Sequence, residues 1–342
     1  MRGVGRPRAE RVDRPPTDDA RAAERPSPPP RPGTAGSRPV SRHHTQEEAV
    51  RPRKRLELKT PDQVRHMRRA GLVVADIHAA LREAVRPGVT TAELDAVSAA
   101  TIRGAGARSN FLGYYDYPAT VCISVNEEVV HGIPGERVLQ EGDLVTFDCG
   151  ACVLDDDGTQ WHGDAAFTTV VGGRYASRAD RILDATTRRA LWAAIAALAR
   201  AVAGEASGRA GRLNTVGDAV EDVVAKAHRS YGVEMGILQE YVGHGIGTAM
   251  HMAPDVLNYS VRRRGPRLKP GMVLAVEPML TAGDPEICEL DDGWTVVTAD
   301  GSHAAQWEHT VALVPGGVWV LTASDGGVEG LAPYGIEPRP LR

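Results

Sequence analysis

The run EGDLVTFD (residues 141–148) decides the fold, because a second run, PGMVLAVE (270–277), repeats it. In each, an acid closes an apolar stretch six residues after a glycine: Asp148 after Gly142, and Glu277 after Gly271. Each run follows a His-Gly-Ile triplet, His131-Gly132-Ile133 in the first half and His244-Gly245-Ile246 in the second. A second acid then appears beside another strand-like run, in HGDAAFTTVV around Asp164 and in QWEHTVALV around Glu308. Three matching features in one order describe an internal repeat. The expected fold is α+β and pseudo-twofold, with the four acids brought to one central place.

Four carboxylates gathered in a core need a reason. Without compensation they repel one another and lose solvation, at a cost of roughly several kcal/mol each. They must take up protons or find cations. Two divalent ions would answer this, since carboxylates suit hard or borderline cations. The opposing reading makes them scattered surface acids. Asp148 and Glu277 speak against it, because each ends an apolar run, LVTF or VLAV, of the kind that is normally core.

Outward from the repeat, helices alternate with antiparallel strands. Thr60, Pro61 and Gln63 form an N-cap, a first-turn proline and a capping-box partner. Val64, Met67, Leu72, Ala75, Ile77 and Leu81 then recur at helical spacing, until Pro87-Gly88 ends the pattern. Thr90 with Glu93 opens a second helix running to about residue 104. Further helices are expected over 178–203 and 215–230. Strands are expected over 120–125, 143–152, 167–171, 273–276, 294–298, 310–314 and 318–321.

The 342 residues, 42% hydrophobic and 25% charged, suit a globular protein. A net charge of -4 argues against a nucleic-acid binder. No apolar run is long enough to span a membrane, and the basic N-terminus lacks the apolar centre of a secretory signal. Residues 1–55 stand apart: they hold 10 of the 23 prolines and carry 14 Arg and Lys against 7 Asp and Glu, leaving the remainder at 26 against 37. With no apolar periodicity they are expected to be a disordered tail. Within it RPSPPPRP (25–32) could form a polyproline helix read by a partner, or be plain flexible chain. The catalytic domain is expected over 56–322, with a C-terminal tail over 323–342. Four cysteines in so long a chain are no disulfide framework and point to a reducing compartment. Cys149 and Cys152 form a CxxC, but in an apolar strand with no second pair it reads as core.

The stretch EYVGHGIGTAMHMAP (240–254) places His244 and His251 seven apart, which is not the spacing of a helical HExxH zinc site. Taken with VCISVNEEVVHGIPG, WHGDAAF, LKPGMVLAVEPM and DGWTVVTADGSHAAQWEHT, it resembles the type I methionine aminopeptidases. The resemblance covers roughly residues 56–321 and implies the pita-bread fold, in agreement with the repeat.

It also implies roles. Asp148, Asp164, His244, Glu277 and Glu308 match the family's metal ligands, with Asp164 and Glu308 bridging two divalent ions, of cobalt, manganese, iron(II), zinc or nickel. His131 and His251 match two histidines that contact substrate, and Glu277 also carries the proton from attacking water to leaving amine. Tyr114, Tyr117 and Trp294 match the pocket for the first side chain. Phe111 stands where many bacterial members have cysteine, and Met250 where many have phenylalanine; both keep the pocket apolar. The 148–164 hairpin is about five residues longer than is usual, through LDDDGTQ, and its acids read as a loop tip, not ligands.

The implied activity removes the initiator methionine from nascent chains whose second residue is small. It implies a cytoplasmic enzyme, with nothing demanding more than a monomer, and a tail that could meet the ribosome. The alternatives are an Xaa-Pro aminopeptidase on the same fold and a non-catalytic binding protein. The five ligands with both histidines favour an enzyme, and the Asn-Glu-Glu-Val-Val-His-Gly run favours methionine.

Overall fold

The computed structural model describes residues 38–39, 56–205, 211–262 and 264–341. The tail over 1–55 and its polyproline run therefore lie outside the described residues, apart from strand β1 (Arg38–Pro39).

Helix α1 (Pro61–Ala84) starts where the capping residues require. Thr60 N–H donates to Gln63 Oε1 at 2.8 Å, and Gln63 N–H donates to Thr60 Oγ1 at 3.3 Å. Thr90 and Glu93 cap α2 (Thr91–Gly104) in the same way. After β2 (Arg108–Ser109) come β3 (Val121–Val125), β4 (Glu128–Val130), β5 (Leu144–Leu154) and β6 (Gln160–Val170). The second half repeats the plan with α3 (Arg178–Glu205) and α4 (Thr215–Tyr231). Strands β7 (Gly236–Ile237), β8 (Gly243–Gly245), β9 (Met252–Val256), β10 (Val273–Val276) and β11 (Met279–Thr281) follow. Then come β12 (Ile287–Glu289), β13 (Val296–Thr298), β14 (Ala304–Gln306), β15 (His309–Val314) and β16 (Gly317–Val320), and last α5 (Val328–Leu331).

All pairings are antiparallel. Of four sheets among the described residues, the first takes β3, β5 and β6, with β2 on the outer part of β5, and the second runs β16-β15-β10-β8-β9; β1-β12-β13-β4 and β14-β11-β7 form two smaller ones. The period of two divides each sheet into a helix face and an inner face. In the first, Val145, Phe147, Cys149, Ala165 and Phe167 pack with Met67, Val74 and Ile77 of α1. In the second, Leu274, Val276, Val311 and Leu313 pack with Leu191, Ile195 and Val220 of α3 and α4. The halves are tied along β6 and the β14–β15 stretch. Glu308 N–H donates to Ala166 O at 2.9 Å, and Thr168 Oγ1 donates to Gln306 O at 2.8 Å.

Two boundaries move. β6 begins at Gln160 rather than 167, because the tight tip at Asp155–Thr159 lets the ladder run the length of β5. The strand expected from 294 begins at Val296, because Asp292 Oδ1 accepts the N–H groups of Trp294 and Thr295 and holds them in a turn. Strands such as β8, β11 and β14, three residues each, are too short to show alternation in sequence. The segment beyond 322 packs back: Leu331 is fully buried, and Arg339 N–H donates to Val318 O at 2.8 Å. Cys149 and Cys152 are free thiols, three apart on β5 and so on opposite faces. No helix among the described residues is long and apolar enough to cross a membrane.

Candidate metal centre

The inner faces carry the acids. On the first sheet, Asp148 sits opposite Cys122 and Ala166, and Asp164 sits opposite Gly150. The face also carries Thr146 and Thr168, bonded to each other at 2.8 Å. On the second sheet His244 sits opposite Ala275, while Glu277 follows β10 and Glu308 precedes β15, so the two glutamates face each other across that pair. Asp164 N–H donates to Thr310 Oγ1 at 3.0 Å, and that hydroxyl donates back to Asp164 O at 2.7 Å, which joins the two faces.

Asp164, His244 and Glu308, all buried, offer ligand atoms within 4.8 Å of one another. His244 Nε2 is 3.5 Å from Glu277 Oε1. Asp148 lines the same cavity. Asp148 Oδ1, Asp164 Oδ1 and Glu308 Oε1 are buried without a hydrogen-bond donor. Burial pushes the Asp148 carboxyl up to about 7. Burial, and then the charge of the neighbouring carboxylates, holds Asp164, Glu277 and Glu308 well above the usual carboxylate range. Burial takes the His244 imidazole down to about 3, so it stays neutral. Its Nδ1 lies 3.0 Å from Gly245 O, which assigns the ring proton to Nδ1 and leaves the Nε2 lone pair toward the acids. Bare carboxylate oxygens around a bare imidazole nitrogen are a donor set for divalent cations, and these residues fit one.

Glu277 is held from two sides. Gln306 Nε2 donates to its Oε2 at 3.2 Å, and Asn258 Nδ2 donates to its carbonyl at 3.0 Å. His131 and His251 stand at the rim of the cavity. Burial lowers His131 to about 4, and its ring lies 5.2 Å from Tyr241 and 6.0 Å from Trp294. His251 is also lowered by burial; its Nδ1 is 3.0 Å from the Tyr114 hydroxyl, and its ring is 4.4 Å from that of His244.

Beyond the acids the cavity is apolar. Phe111, Tyr117 and Met250 are buried around it, with Tyr114 and Trp294 packed against them. The Tyr117 hydroxyl donates to Gly132 O at 2.9 Å, so only its ring is offered to the cavity. All twelve site residues expected from the sequence line this one cavity. Cys122, Tyr241, Met279 and Gln306 line it too and were not anticipated. Two left a signal: Gln306 lies two before Glu308, and Tyr241 three before His244. Cys122 enters only through its register with Asp148.

Comparison with known proteins gives consistent likenesses. The model of metallopeptidase family M24 matches residues 65–315. Methionine aminopeptidase 1 of Mycobacterium tuberculosis is 46% identical over 274 residues, covering 80% of this chain and 97% of that one. The crystal structure of methionine aminopeptidase from Thermotoga maritima superposes with a TM-score of 0.70 at 33% identity, over 79% of this chain and 100% of that one. Prolidase from Pyrococcus furiosus, at 19% identity and a TM-score of 0.56 over 78% of this chain and 65% of that one, shares the fold alone.

Proposed function

This chain belongs to metallopeptidase family M24, among its methionine aminopeptidases, and from that premise we propose how its residues act. The activity is removal of the initiator methionine from nascent polypeptide N-termini. The observation that carries the site assignment is the set of buried carboxylate oxygens without donors around the His244 Nε2.

Asp164 and Glu308 would be shared by two divalent ions, with Asp148 completing one site and His244 with Glu277 the other. When bound, such ions supply Lewis acidity that polarises a carbonyl and brings the pKa of water toward neutrality. Glu277 accepts a proton from the attacking water at its carboxylate and delivers it to the leaving amine, steadied by Gln306. His251 donates to the substrate carbonyl oxygen as charge develops there, and His131 holds the leaving amide. Phe111, Tyr114, Tyr117, Met250 and Trp294 enclose the methionine side chain and exclude water. Only a small second residue is expected to be accepted.

Oxygen and imidazole donors suit cobalt, manganese, iron(II), zinc or nickel, and availability selects among them. The proposal extends to a cytoplasmic monomer whose basic tail, residues 1–55, is its contact to the ribosome. The Xaa-Pro reading is not favoured, since likeness to a prolidase extends to fold alone. A non-catalytic binding protein would have no use for all five donors.

The test is turnover of Met-Ala-Ser and of Xaa-Pro peptides with cobalt, manganese or iron(II) added. Methionine release with no cleavage before proline is expected. Absence of methionine release with every ion would overturn the reading.

A further inference from the structure

The segment between Phe111 and Tyr117 holds a backbone that side chains avoid: φ is 46° at Tyr115 and 68° at Asp116. Such conformations persist where the surroundings over-determine them. Here Ser109 Oγ accepts the N–H groups of Phe111 and Leu112 at 3.0 and 3.2 Å. Gly113 N–H donates to Tyr117 O at 2.8 Å, closing the loop on itself. The Tyr114 and Tyr115 rings meet edge to face at 4.7 Å. The loop is thereby fixed with the Tyr114 hydroxyl 3.0 Å from His251 Nδ1, a bond between residues 137 apart in the chain.

We propose that Tyr114 is a positioning residue that sets the tautomer of His251: its phenol donates to Nδ1, so the ring proton sits on Nε2 and is offered to the cavity. A neutral imidazole carries one ring proton, and the bond made by one nitrogen decides what the other can do. Tyr114 could also accept, which would leave Nε2 bare. The cavity favours the first arrangement, because its lining gathers the carboxylates of Asp148, Asp164, Glu277 and Glu308 and the lone pair of His244, while Gln306 Nε2 and the Tyr117 hydroxyl already donate to Glu277 and to Gly132 O. A proton on Nε2 faces acceptors, whereas a lone pair there would face more lone pairs. Tyr114 thus makes His251 a donor without touching the reacting atoms. The aminopeptidase reading enters only in what that donor is for.

The experiment uses the zinc-loaded, diamagnetic full chain labelled with nitrogen-15 at histidine, as wild type and Tyr114→Phe. Wild-type His251 is expected to show a protonated Nε2 and an unprotonated Nδ1. In Tyr114→Phe the two shifts converge, and kcat for Met-Ala-Ser falls about tenfold, the equivalent of one good hydrogen bond. KM stays within about twofold and zinc content is unchanged, as expected for loss of an interaction made in the transition state. Wild-type His251 protonated at Nδ1 overturns the proposal. So does a Tyr114→Phe protein with unaltered nitrogen shifts, even if kcat falls, because that is loss of packing alone. A wild-type protein without turnover with any of the added ions would sink the aminopeptidase reading, while the nitrogen shifts of the zinc form still decide the hydrogen bond.

Discussion

His244 Nε2 lies 3.5 Å from Glu277 Oε1, and the proton of that imidazole is committed to Gly245 O on the other side. Two acceptors face each other across a buried gap, which only a cation or a proton resolves. His244→Ala should therefore empty the site, where an aromatic swap elsewhere in the cavity would not. Loss of a ligand's supporting partner typically costs roughly 10–100-fold in metal affinity, so loss of the ligand should cost at least about 100-fold. Elemental analysis after dialysis, beside turnover, checks it. Full metal content in the variant would remove His244 from the ligand set.

The acids make a second prediction, about pH and ion removal. Asp148, Asp164, Glu277 and Glu308 titrate higher folded than unfolded, Asp148 at about 7 against an ordinary 3.8. Where the metal-free folded state holds protons that the unfolded chain has released, the contribution of these acids to stability falls as pH rises. Buried histidines such as His78, lowered to about 3, act in the opposite sense, but they do so with or without metal. The measurable quantity is thus the melting-temperature gap between loaded and metal-free protein, which should widen from pH 4 to pH 7. A gap that narrows over that range contradicts the four-acid site.

The fold was readable because the repeat is carried by long elements. The capping boxes at Thr60 and Thr90 give helix starts, and the eleven-residue β5 is long enough for its apolar run to show. The acids were readable because Asp148 and Glu277 break apolar strands. What stayed hidden depends on contacts distant in sequence. Cys122 enters the cavity through strand register, and Gln306 is aimed at Glu277 by the β11–β14 pairing. The roles of His131 and His251 rest on resemblance, since nothing in a lone histidine separates a ligand from a donor.

His251 touches the His244 ring but is tied through Nδ1 to Tyr114. His251→Ala should therefore keep its metal and lose about 10²–10³ in kcat, the usual effect of removing one donor to a developing oxyanion. Metal content and kcat measured on one preparation separate the roles. Lost metal with unchanged turnover per bound ion would make His251 a ligand instead.

The acidic hairpin tip gives a contrast. Asp155 Oδ1 accepts the N–H groups of Asp157 and Thr159 at 3.1 and 2.9 Å, and its Oδ2 accepts Trp161 Nε1–H at 2.8 Å. Its carboxylate is occupied in shaping the turn. Asp155→Ala should lower the melting temperature while leaving metal stoichiometry unchanged, and Asp156→Asn should change neither. A fall in stoichiometry in either variant would place a cation at the tip.

The repeat itself can be tested at its two His-Gly-Ile glycines. A Cβ on Gly132 would lie 2.3 Å from Ile123 O, and one on Gly245 would lie 2.3 Å from Ala253 O. In both halves the glycine lets a neighbouring strand's carbonyl approach where any side chain would collide. Overpacking of this kind costs about 1–3 kcal/mol, so Gly132→Ala and Gly245→Ala should each destabilise by that order in thermal or denaturant unfolding. Gly135, with nothing within 4 Å of its Cβ position, is the control and should accept alanine with little change. The two variants should then part in function. Gly245 O receives the His244 Nδ1 proton, so displacing that backbone should also weaken metal binding. Gly132 O receives the Tyr117 hydroxyl, so displacing it should loosen the methionine pocket and raise KM with metal content intact. Equal effects on metal in both variants would show that the matching triplets do not divide the work this way.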